Sequence, residues 1–148
     1  MTSDLEALYH GAIVDHSKHP RNRRSLGAGR KADGFNPICG DRLTVYVEVV
    51  DGLIRDASFG GLGCAIAIAS ASLMTESVKG KTVAEADALF ERVQRLITAP
   101  PDAPVDDLGA LSALAGVRRF PVRVKCATLP WQALRAAAGA AGEVVTTE

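Results

Sequence analysis

A chain of 148 residues, 47% hydrophobic and 23% charged, has the make-up of one globular domain able to bury roughly two-thirds of its unfolded surface. Its 17 basic and 17 acidic residues cancel, so neither nucleic acid nor an anionic membrane has a general electrostatic claim on it. No run approaches the roughly 18 apolar residues of a membrane-spanning helix, the stretch Met1–Glu6 lacks a signal-peptide pattern, and a cytoplasmic protein is expected.

Ser3-x-x-Glu6 is a capping box, and Leu5, Leu8, Tyr9, Ala12 and Ile13 recur at helical spacing, which predicts a helix from about Asp4 to Ser17, stopped by Pro20. The basic turn Lys18-His19-Pro20-Arg21-Asn22-Arg23-Arg24 reads as a solvated patch, with partner docking as the alternative. His16 and His19 stand three apart, within reach of a shared metal, but cations at a helix C-terminus also complement the dipole. Asp33 to Ile38 forms a short strand. From Leu43 to Val50 valines alternate with Thr44, Tyr46 and Glu48; Asp51-Gly52 is a hairpin signal, and the return strand runs from Leu53 to Phe59, setting Glu48 opposite Arg55. Gly60-Gly61-Leu62-Gly63 then releases the chain into a helix rich in small residues, from Cys64 onward and stopped by Gly80.

Thr82-x-x-Glu85 is a second capping box, opening a helix with Val83, Ala86, Leu89, Phe90 and Val93 on one side. Ala99 to Pro104 is a loop, Leu108 to Val117 reads as short helical turns, and Ala127 to Ala138 as a last helix with Pro130 near its first turn. Residues 142–148 are expected to fray. The fold class that follows is α+β, a small antiparallel sheet of about three strands packed with helices, in a single domain over residues 1–148.

Gly80-Lys81-Thr82 resembles the end of a phosphate-binding loop, but Thr75 stands where its first glycine is required. Gly61-x-Gly63 follows a hairpin strand and has Ile66 at the third glycine position, so it is no dinucleotide fingerprint. The three cysteines carry more. Their odd number does not suggest a disulfide framework. In Asn36-Pro37-Ile38-Cys39-Gly40-Asp41, the residue before proline is extended; if the segment stays extended, Cys39 and Asp41 share one side. Cys64 stands at a helix N-terminus, which favours thiolate. Cys126 also precedes a helix, with Arg118, Arg119, Arg123 and Lys125 close upstream. Arg123 and Lys125 are candidates for keeping thiolates charged. Cys39, Asp41, Cys64 and Cys126 supply four ligands, enough for a tetrahedral zinc site or an iron–sulfur cluster.

Asn36-Pro37-x-Cys39-Gly40-Asp41, Gly61-x-Gly63-Cys64-Ala65-Ile66 with Ala69-Ser70-x-Ser72, and Lys125-Cys126-Ala127-x-Leu129 resemble the U-type iron–sulfur cluster assembly proteins. These include the IscU scaffolds, the NifU N-terminal domain and SufU. The similarity runs from Tyr9 and Asp15-His16-x-x-x-Pro20-Arg21-Asn22 to the last helix. Lys125 stands where IscU scaffolds carry a histidine, and the chain between Cys64 and Cys126 is extended around Pro100 to Val117, as in the SufU branch. The resemblance implies an IscU/SufU-like fold and zinc held by Cys39, Asp41, Cys64 and Cys126. It also implies sulfur transfer, with Cys39 accepting persulfide sulfur from a PLP-dependent cysteine desulfurase of the SufS type and a downstream iron–sulfur scaffold receiving it. The alternative is a scaffold that assembles a transient [2Fe–2S] cluster on the same ligands. No nucleic-acid or membrane partner is expected, and the chain would act as a monomer or weak dimer.

Overall fold

Alternating side chains build the sheet in the computed structural model, which describes residues 2–26, 29–139 and 144–146, with side chains over 7–26 and 29–139. Three antiparallel strands, β1 (Arg30–Asn36), β2 (Asp41–Val50) and β3 (Leu53–Leu62), pair in sequence order. On β2 it is Leu43, Val45 and Val47 that turn inward, joined by Ile54, Ala57 and Phe59 of β3, all fully buried. At the β2–β3 turn, Asp51 and Gly52 both take positive φ, 53° and 77°, as a two-residue hairpin requires. The register differs from the expected one. A bulge sets Asp56 opposite Glu48, because an extra residue enters β3 beside the turn; Arg55 nonetheless reaches Glu48 at 3.8 Å.

β3 also continues past Phe59. Gly61 sits in it at φ 111°, where a Cβ would clash with the Arg42 carbonyl, so glycine lets the strand run on to Leu62. A fourth strand, β4 (Val144–Thr146), joins β1 in parallel and gives the order β3-β2-β1-β4. Of the tail expected to fray, these three residues are strand, and 142, 143, 147 and 148 lie outside the described residues.

The helices are α1 (Thr2–Lys18), α2 (Ala65–Val78), α3 (Val83–Thr98) and α4 (Pro121–Gly139), with a 3-10 segment over Gly109–Arg119 where helical turns were expected. The capping box at Ser3 and Glu6 falls on side chains outside the described ones. That at Thr82 is formed, its hydroxyl accepting the Glu85 N–H at 3.0 Å and the Glu85 carboxylate accepting the Thr82 N–H at 2.9 Å. α2 packs against α1, α4 and the sheet, and its Ala67, Ala69 and Ala71 are fully buried. Between α2 and α4, Ser70 donates to the Ala127 carbonyl at 2.6 Å and accepts the Trp131 indole N–H at 3.2 Å, so this buried polar contact is satisfied.

α4 begins earlier than expected. Pro121 takes the first-turn place, where a missing N–H costs nothing. Pro130 lies in the interior, where it has no N–H for the carbonyl of Cys126 four residues back. The basic turn is also not simply a solvated patch. Arg21 pairs with Asp15 at 2.8 Å, Arg23 donates to the Gly61 carbonyl at 2.8 Å, and Arg24 reaches both carboxylate oxygens of Asp56 at 2.9 and 3.0 Å. Asn22, at φ 62°, accepts the Phe59 N–H and donates its side-chain amide to Thr75. The turn therefore straps α1 to β3 and α2.

Candidate metal centre

The site begins where β1 turns into β2. Asn36 and Asp41 face each other across the pair, and residues 37–40 form the turn between them. The continuously extended segment expected here does not form, because Gly40 takes φ 71° and reverses the chain. Ile38 N–H donates to Asn36 Oδ1 at 3.3 Å, an Asx-type contact that steadies the turn. Cys39 rides on this turn, half-buried, and its Sγ lies 3.1 Å from Cys126 Sγ.

Asp41 is fully buried. Its Oδ1 accepts the Cys64 N–H at 2.8 Å and its Oδ2 accepts from Asn36 Nδ2 at 3.2 Å. Cys64 is the residue preceding α2, at φ −68° and ψ 168°, with no side-chain cap bond. Its placement at a helix N-terminus is as the sequence suggests. Cys126 is not: it lies inside α4 and is fully buried, beyond the first turn where a helix dipole favours thiolate. Burial instead pushes the Cys126 thiol up, with Cys39, Asp41 and Cys64 around it adding to the rise.

Cys39, Asp41 and Cys126 each offer a ligand atom, all within 4.8 Å of one another. A tetrahedral zinc with sulfur ligands spaces its donors about 3.8 Å apart, so this set fits a divalent ion with soft donors. Several acidic groups packed at one buried point repel negative charge, which a cation relieves. Cys64 stands beside this trio: its side chain lines the same cleft and its N–H holds Asp41. His16 is elsewhere, with Nδ1 2.7 Å from Ser72 Oγ.

The cysteines open into a cleft of about 670 Å³ whose wall includes Tyr9, His10, Ile13, Phe120 and Arg123. Arg123 lies over the Phe120 ring at 4.8 Å, and Tyr9 stacks with that ring at a centroid distance of 6.5 Å. Burial raises the Tyr9 phenol, and the neighbouring Arg123 opposes that rise. Lys125 is half-buried one residue before Cys126 and does not line the cleft. Of the two proposed thiolate supports, Arg123 thus borders the cysteine cleft and Lys125 does not. Sequence reasoning missed Asn36, whose amide also lies 3.5 Å from Cys126 Sγ. The sequence signal was its place at the head of the Asn36-Pro37-x-Cys39-Gly40-Asp41 motif.

The family model for the NifU-like N-terminal domain matches residues 8–138. The zinc-dependent sulfurtransferase SufU of Bacillus subtilis (strain 168) is 40% identical over 89% of this chain and 90% of its own length. The iron–sulfur cluster assembly scaffold protein IscU of Streptococcus pyogenes serotype M1 is 38% identical over 91% of this chain and 85% of its own. Among solved structures, a protein of Fervidobacterium islandicum AW-1 described as a scaffold candidate for the SUF system superposes with a TM-score of 0.81. It is 32% identical, covering 89% of this chain and 97% of that one.

Proposed function

We propose that this chain, which belongs to the family of NifU-like N-terminal domains, is a zinc-dependent sulfurtransferase of iron–sulfur cluster assembly acting in the cytoplasm. It would take persulfide sulfur from a PLP-dependent cysteine desulfurase of the SufS type and pass it to a downstream scaffold. Cys39, Asp41, Cys64 and Cys126 would hold the zinc, which when bound keeps their sulfurs as thiolates and adds its binding energy to the fold. The observation that carries the reading is the contrast among the thiols. All three line the cleft, but Cys126 is fully buried in a helix and half-buried Cys64 is tied to a helix start, whereas half-buried Cys39 rides on a reversing turn.

In the transfer, the Cys39 thiolate attacks the terminal sulfur of the partner's persulfide. A new S–S bond forms on Cys39 as the partner's S–S bond breaks, and the partner's cysteine leaves as thiolate. The chain's own residues support the approach. Ile38, Leu62, Phe120 and Val122 are 57%, 75%, 42% and 53% exposed, one or more beside each segment that carries a cysteine. Such an apolar rim suits a protein partner.

A scaffold for a transient [2Fe–2S] cluster is the second reading; the donor set is common to both, and the likeness to the streptococcal scaffold favours it. Metal and sulfide analysis with a visible spectrum of freshly purified protein divides them: colourless zinc protein supports the transferase, brown protein with iron and sulfide the scaffold. Adding desulfurase, PLP and cysteine to the zinc protein should then place a reductant-labile sulfur on Cys39 and speed the desulfurase. Cys39→Ser should abolish both. Sulfur appearing first on Cys126, or no stimulation by the zinc-loaded protein, would overturn the proposal.

A further inference from the structure

The amide of Asn36 is fully buried at the centre of the site, and every one of its polar atoms is engaged with a segment that carries a candidate ligand. Its Nδ2 lies 3.2 Å from Asp41 Oδ2 and 3.5 Å from Cys126 Sγ, while its Oδ1 accepts the Ile38 N–H at 3.3 Å. An amide nitrogen has two hydrogens, and here they face two acceptors, a carboxylate and a sulfur. The reverse orientation would set the amide oxygen against both and the NH₂ against a backbone N–H, so the network fixes the amide one way round.

Resting on the metal-centre reading above, we infer that Asn36 is a positioning residue for the bound metal, one side chain that sets three of its ligands at once. The bond to Asp41, together with the Cys64 N–H on the other oxygen, fixes the rotation of the carboxylate. The contact with Cys126 orients that sulfur toward the same point. The bond from Ile38 holds the turn on which Cys39 rides. A site built to release one sulfur needs the remaining ligands kept in register, and Asn36 does that from outside the coordination sphere. Pro37 serves the same end, since it keeps the Asn36 backbone extended.

Cobalt(II) is the probe, because its visible bands report ligand geometry and its thiolate bands report the sulfurs. Asn36→Asp keeps the size of the side chain and an oxygen for the Ile38 N–H but replaces the donor with an acceptor. Asn36→Ala removes both. Each is expected to bind cobalt about 10–100-fold more weakly than wild type. Each should also show a changed ligand-field envelope and faster alkylation of Cys39 in the loaded protein. Unfolding of the metal-free proteins, followed by the buried Trp131, is measured alongside. If Asn36→Asp does not fold, Asn36→Ser, which keeps one hydroxyl donor and no buried charge, is expected to fall between Asn36→Ala and wild type. Variants that lose metal-free stability yet match wild type in cobalt affinity and spectrum would reduce Asn36 to a fold residue and overturn the inference. A wild type that binds no cobalt or zinc would instead sink the metal centre itself.

Discussion

Asp41 accepts two N–H groups while fully buried, so its work in the fold is separable from any work on a metal. Asp41→Ala would strand the Cys64 N–H and one hydrogen of the Asn36 amide without an acceptor. An unsatisfied buried donor costs about 1–3 kcal/mol, so the metal-free variant is expected to unfold at lower denaturant than wild type, besides binding metal less well. Denaturant unfolding followed by Trp131 checks this, and an unchanged metal-free midpoint would contradict it. The residues of the site were legible in the sequence because thiols and a carboxylate beside Pro and Gly are chemically conspicuous. Their manner of meeting was not. Cys39 and Asp41 converge through a reversing turn, not along one strand face. Cys126 arrives from the interior of a helix, and Asn36 acquires its partners only in three dimensions.

Helices with one polar side declare themselves, and helices buried all round do not. α3 carries a formed capping box and a buried stripe of Ala86, Phe90, Val93 and Ile97, and its bounds were readable. α4 is buried almost continuously from Cys126 to Leu134 and starts at Pro121 among arginines, so periodicity gave no starting point and Pro130 was taken as the first-turn proline. The α1–α2 contact makes a prediction of its own. Ser72 Oγ accepts the Arg21 N–H at 2.8 Å and lies 2.7 Å from His16 Nδ1. Burial lowers the His16 pKa below 6.5 and the Arg21 charge adds to this, against weaker pulls from Asp15 and Glu76. The unfolded chain then binds the proton first. This contribution to stability is full above the unfolded value and is lost as pH falls below it through the folded value. Metal-free wild type taken from about pH 8 to about pH 5 should therefore lose more thermal stability than His16→Gln. Equal losses would remove His16 as the source.

The arrangement of the whole molecule separates what holds it together from what it presents. Charge that looked available in the sequence is largely tied down: Arg21, Arg23 and Arg24 are paired within the chain, so reversing them would loosen the strap between α1, β3 and α2 and would not report cleanly on a partner. What the molecule presents around the cysteines is largely apolar, apart from His10, Arg119 and Arg123 in the cleft wall. Leu62, 75% exposed at the end of β3, and Val122, 53% exposed in the first turn of α4, stand beside segments that carry Cys64 and Cys126. Exposed side chains of this kind add little to stability, so a charge placed there changes the surface and not the core. If the cleft is where a desulfurase docks, burying a carboxylate at the rim carries a desolvation cost on the complex alone. Leu62→Glu and Val122→Glu are each expected to keep wild-type metal content and melting temperature while stimulating the desulfurase several-fold less at subsaturating concentration, with the loss recovered at high concentration. About one order of magnitude in apparent affinity corresponds to 1.4 kcal/mol, a modest share of the cost of an unpaired buried carboxylate. A titration of desulfurase turnover against each variant gives the measurement. Unchanged titration curves for both would move the docking surface away from the cysteine cleft, and a loss that persists at saturation would place these side chains in the transfer step rather than in the encounter.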